Sequence, residues 1–144
     1  MTTTRKIFFI IFICLLFVTL ESIIQLSLEY IRNNFLDGIW GRKSYWNHDA
    51  SFSIIRFFTY TPFWLIGAFF LLPRIKIEKK LIKIIFYNLN AYLFISLIYS
   101  LFMGLYSMFF TPYFFELVFA TILSPIIFYS IPFFKKRMDI ITVE

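Results

Sequence analysis

Three ionisable residues, Glu21, Arg56 and Glu116, lie inside long apolar stretches, where a charge needs a reason. At the centre of a membrane-spanning helix such a group costs roughly 2.5–3.5 kcal/mol on insertion scales, so it usually faces a partner or a cavity. Glu21, Gln25 and Glu29 recur at i, i+4 and i+8 and so share one stripe of a helix. Arg56 reads as the only cation at a matching depth, with Tyr60 one turn beyond it. The expectation is a pair inside a helix bundle, Arg56 with Glu21 or with Glu116, supported by Gln25 and Tyr60. In the competing reading Arg56 reaches outward to lipid headgroups and the glutamate stripe continues into an exposed helix. Used functionally, the same groups would move a proton or hold a charged ligand.

Nothing else in the sequence forms a reactive constellation. Cys14 is the single cysteine, so no intrachain disulfide can form and dithiol redox chemistry is excluded. One histidine, His48, leaves no zinc or haem ligand set. There is no Gly-rich phosphate loop and no nucleophile elbow, and two glutamates alone are too common a coincidence to mark an acid–base pair. The chain reads as a non-enzyme without metal or cofactor.

A second polar set runs through 87–100. Asn88, Tyr92, Ser96 and Ser100 fall on or near one helix face, with Tyr87, Asn90 and Tyr99 beside them. On a membrane helix such residues bond to a neighbouring helix at about 0.6–2 kcal/mol each, and that reading is preferred to a pore lining. The last apolar stretch offers only Thr121 and Ser124 as polar partners in its inner half. Pro62 and Pro125 sit near the middle of their stretches and are expected to kink them.

The elements that must position these groups follow from composition. The chain has 144 residues, 60% of them hydrophobic and 15% charged, against about 25% charged in globular proteins. Mean hydropathy is +0.80. Spans of about 20 residues are expected at 7–29, 52–72, 84–106 and 114–134. The first follows Arg5-Lys6 without a small-residue cleavage pattern, so it reads as an uncleaved helix. Between 84 and 134 the one charge is Glu116, with a tight turn expected at Ser107 to Thr111-Pro112. Trp40, Tyr45 and Trp46 in the polar connection at 30–50 suit a membrane interface. The aromatic share is 24%, with 22 Phe, and reads as compositional bias first.

By these spans Glu21, Arg56 and Glu116 lie roughly 4–5, 9 and 12 Å to the same side of their midpoints. The fold class is therefore all-α, an antiparallel bundle of four transmembrane helices forming one domain. With four spans both termini share a side with the basic segment 74–83. That side holds ten Lys and Arg, and the other holds three, Arg32, Arg42 and Lys43. The bias places both termini in the cytoplasm of a cell with this protein in its inner membrane. The net charge of +6 is then explained by topology and anionic lipid, not nucleic acid. The Lys-rich segment reads as a solvated loop.

The stretch His48-Asp49-Ala50-Ser51 through Thr59-Tyr60-Thr61-Pro62-Phe63, followed by an apolar run and Arg74-Ile75-Lys76, resembles the second-helix region of immunity proteins against pore-forming colicins. The resemblance covers about 30 residues and the general topology, while the connection at 107–113 is much shorter than the corresponding loop of that family. It implies binding of a toxin's hydrophobic hairpin within the bilayer, with no catalysis. The expected function is thus intramembrane helix–helix recognition of a protein partner, as an immunity factor or an accessory subunit of a membrane complex. The alternative is a small transporter or channel for a small solute or lipid-linked substrate, acting as a homo-oligomer.

Overall fold

A computed structural model describes residues 2–35, 49–103 and 112–143. Five helices follow in order: α1 Thr3–Phe35, α2 Asp49–Ile66, α3 Lys80–Met103, α4 Pro112–Ser130 and α5 Pro132–Val143. No strand occurs among the described residues. Three helices are long and apolar enough to cross a membrane, and a fourth crossing is counted when the bent pair α4–α5 is taken as one. The connections around Trp40, Tyr45, Trp46 and His48, and around Ser107 and Thr111, lie outside the described residues.

The four long helices form a closed ring: α1 packs against α2 and α4, and α3 completes it against α4 and, more loosely, α2. Large apolar residues recur all round each helix, so the outward faces stay apolar: Phe8, Phe58, Phe94 and Phe119 are all exposed. A water-soluble bundle would confine such residues to one stripe. One half of the interior is apolar, with the Phe17 ring tilted against Trp64 and Phe128 at centroid distances of 5.6 and 5.5 Å. Ile10, Ile13, Ala68 and Ile84 are buried in the same cluster.

α1 is longer than the expected 7–29, adding a turn at each end. α2 passes through Pro62 without a break and then widens into a π turn at Gly67–Leu71 and tightens into a 3₁₀ turn at Leu72–Arg74. Leu72 N–H reaches back five residues to the Gly67 carbonyl. Gly67 is needed there because Tyr87 lies against it: a Cβ at that position would sit 2.0 Å from the tyrosine hydroxyl. That hydroxyl donates to the Phe63 carbonyl.

The expected span 114–134 is corrected at its end. α4 runs through Pro125 and stops at Ser130, and α5 leaves at 110° after Ile131. Pro132 lacks the N–H that would continue the helix, so the chain turns there and not at Pro125. α5 folds back under the bundle. Lys83 Nζ donates to the Thr142 carbonyl at 3.0 Å, and Tyr129 OH donates to Asp139 at 2.8 Å. The basic segment 74–83 is therefore not wholly a solvated loop: Lys83 is buried in the first turn of α3, where α5 supplies its acceptor.

Candidate polar core

Glu21 occupies the middle of α1 and is fully buried. Each of the other three long helices sends one donor to its carboxylate. Arg56 Nη2 from α2 lies 2.7 Å from Oε2, and Asn88 Nδ2 from α3 and Ser124 Oγ from α4 lie 3.1 and 2.9 Å from Oε1. A buried carboxylate is tolerated only when its lone pairs are engaged and a counter-charge is close, and both conditions hold here. The expected alternatives are thereby decided. Arg56 pairs with Glu21, not Glu116, and does not reach to the surface, since its side chain is 2% exposed.

Asn88 is the second hub. Its Oδ1 accepts from Tyr60 OH at 2.8 Å and Trp64 Nε1 at 3.2 Å, while Nδ2 donates to Glu21 and to the Thr121 carbonyl at 2.8 Å. A primary amide has two donor hydrogens and two acceptor lone pairs, and all four are used. From α3 it thus reaches α1, α2 and α4 at once. Tyr60, expected beside Arg56, instead binds Asn88, through both the amide oxygen and the backbone carbonyl.

Glu116 has a different partner. Arg32, assigned to the outer loop by the sequence, continues α1 and places Nε 2.6 Å from Glu116 Oε1. Arg56 is therefore not the single interior cation. What misplaced Arg32 was the assumed end of the first span. Gln25 and Glu29 do not emerge on an exposed helix. Both are buried, and Gln25 Nε2, both Glu29 oxygens, Glu116 Oε2 and Arg56 Nε and Nη1 have no hydrogen-bond partner among the described residues. The polar interior has two layers, one at Glu21–Asn88 in which both the carboxylate and the amide are fully engaged and only Arg56 Nε and Nη1 lack acceptors among the described residues, and an under-satisfied one at Gln25, Glu29 and Glu116.

The remaining helix-contact residues divide. Tyr92 is buried and its ring lies tilted against Phe114 of α4, with centroids 6.2 Å apart. Ser96 and Ser100 are buried too, but the Ser100 hydroxyl donates to the Ser96 carbonyl within α3 and not across a helix seam. Trp64 was missed by sequence reading, although an indole N–H one turn beyond Tyr60 is a donor that burial obliges to find an acceptor.

An apolar groove of about 470 Å³ lies outside the core between α1 and α2, lined by Leu26, Ile54, Phe57 and Phe58 among others. Ser22 and Ser53 share a 2.7 Å hydrogen bond along it. No known protein family, curated protein or solved structure matches the chain.

Proposed function

We propose that this is a small, non-enzymatic inner-membrane protein with both termini in the cytoplasm, acting by helix–helix recognition of a protein partner within the bilayer. The observation that carries the reading is that the Glu21 carboxylate and the Asn88 amide are closed off by one another and by groups of all four long helices, with the one cation of that layer, Arg56, on Glu21. A solute path through the bundle would need such groups free and lining water. What the protein then offers a partner is its apolar outer surface, and the α1–α2 groove is a concave seat on that surface for a further helix. A bacteriocin immunity factor and an accessory subunit of a membrane complex are the two forms of this function.

Photo-crosslinking in native membranes tests it, with the reactive residue placed at Ile54 or Phe58 in the groove and at Leu97 on α3. The expected result is one discrete heterologous adduct from the groove positions, identified by mass spectrometry after pull-down, and none from Leu97. Adducts only to a second copy of the chain would overturn it in favour of an oligomeric transporter. That second reading draws on the under-satisfied layer at Gln25, Glu29 and Glu116, which has the unpaired carboxylate oxygens a proton or cation path requires.

A further inference from the structure

At the end of the bundle where α1 begins and α5 folds back, two helix faces confront each other. On α1 the face is Arg5, Phe8, Phe9 and Phe12; on α5 it is Phe133, Lys136, Arg137 and Ile140. Both follow the i, i+3, i+4, i+7 spacing of a single helical stripe. Between them lies a groove of about 870 Å³. Its floor is aromatic, with Phe12 and Phe134 stacked at 6.5 Å behind it. The charged groups lining it are all cations: Arg5, Lys136 and Arg137. Asp139, on the same short helix, is turned away to Tyr129 and Lys80.

Arg137 is held in place before any ligand arrives. Its guanidinium lies 4.3 Å from the Phe133 ring centre and 5.7 Å from that of Phe9. A guanidinium held over aromatic rings keeps N–H donors available, which suits a phosphate oxygen. A cationic rim over an exposed aromatic floor matches a ligand with an anionic head and a hydrocarbon body.

We propose that this groove binds an anionic phospholipid of the cytoplasmic leaflet, with its phosphate held by Arg5, Lys136 and Arg137 and an acyl chain lying along Phe8, Phe12 and Phe133. The site rests on the membrane placement above, which resistance of the protein to alkaline carbonate washing reads separately, and it is independent of the partner. α5 is then a headgroup clamp, and its departure from α4 at 110° is what brings its cations over the first turns of α1.

The test is native mass spectrometry of the full chain, stripped of lipid and then exposed to equal amounts of phosphatidylglycerol and phosphatidylcholine. The expected result is one retained phosphatidylglycerol, favoured about tenfold or more over phosphatidylcholine. R5Q/R137Q should abolish the preference, R5K/R137K should keep most of it, and K76Q/K79Q, with the same loss of charge outside the groove, should leave it intact. Equal retention of the two lipids would overturn the proposal, as would a preference that falls equally in the two Gln pairs. Displacement of the lipid by millimolar inorganic phosphate would also overturn it, because the site would then recognise the free anion and not the lipid.

Discussion

The side chain of Asn88 supplies the hydrogen bond that Pro125 removes from its own helix. Proline has no N–H to offer the carbonyl four residues back, which here is that of Thr121, and Asn88 Nδ2 donates to that carbonyl at 2.8 Å. A helix defect in α4 and a polar residue in α3 thus answer each other across the bundle, which explains how α4 passes through a proline unbroken.

The two positions should therefore be energetically coupled. Asn88→Ala leaves the Thr121 carbonyl and the Trp64 N–H without their partner, takes one donor from Glu21 and leaves Tyr60 OH only the backbone carbonyl of residue 88, and unfolding in detergent should register a loss of about 2–3 kcal/mol, several interhelical hydrogen bonds at once. Pro125→Ala restores the backbone N–H, so it should cost less in the Asn88→Ala background than alone, with a coupling of about 0.5–1.5 kcal/mol. Additive losses in the double-mutant cycle would show that the amide does not serve the proline.

Arg56→Leu leaves Glu21 buried without its counter-charge and should destabilise by roughly 3–5 kcal/mol. Glu21→Gln/Arg56→Leu should recover most of that, because a glutamine keeps an oxygen for Asn88 and Ser124 and carries no charge. Thermal unfolding of the two variants side by side decides it. If the double variant is no more stable than the single, the cost lies in the lost arginine packing and not in the stranded carboxylate.

Gly67→Ala forces a methyl into the ring of Tyr87 and should cost about 1–3 kcal/mol as an overpacked contact. Tyr87→Phe should not rescue it, since ring carbon Cζ would still lie 2.1 Å from the new Cβ. Tyr87→Val should. A rescue by Phe would place the conflict at the hydroxyl alone.

In the under-satisfied layer Glu29 is 1% exposed and neither of its carboxylate oxygens has a hydrogen-bond partner among the described residues. Glu29→Leu should hold or raise the unfolding temperature, whereas Arg32→Leu should lower it by removing the cation that sits on Glu116. A marked loss of stability in Glu29→Leu would reveal a cation or a proton held there.

The all-helical architecture with three to four long apolar helices was legible in the sequence, as was the need of Glu21, Arg56 and Glu116 for interior partners, because both rest on local signals. Apolar run length reports a helix, and an isolated charge in such a run needs a counter-charge. Partner choice was less legible. Whether Arg56 met Glu21 or Glu116 depended on how far α1 extends, and α1 carries Arg32 into the bundle by running on to Phe35. Asn88 was visible as a polar residue on a contact face, but not as a hub, since the Thr121 carbonyl it serves is a backbone group of no distinctive sequence. The α4–α5 turn was hidden for a related reason. Ile131-Pro132 lies in a run of apolar residues that reads as continuous, and where the following helix goes is fixed by tertiary contacts: the acceptor for Lys83, the donor for Asp139 and the burial of Met138 and Ile141.

Glu21 imposes an order on the chain's own manufacture. Its three donors all follow it: Arg56 by 35 residues, Asn88 by 67 and Ser124 by 103. At a synthesis rate of about 5–20 residues per second, the carboxylate waits roughly 2–7 s for its cation and about 5–20 s for its last hydroxyl. In the membrane placement proposed above, α1 is until then a poor tenant of hydrocarbon. The nascent chain then has reason to stay beside the insertion machinery until Arg56 arrives.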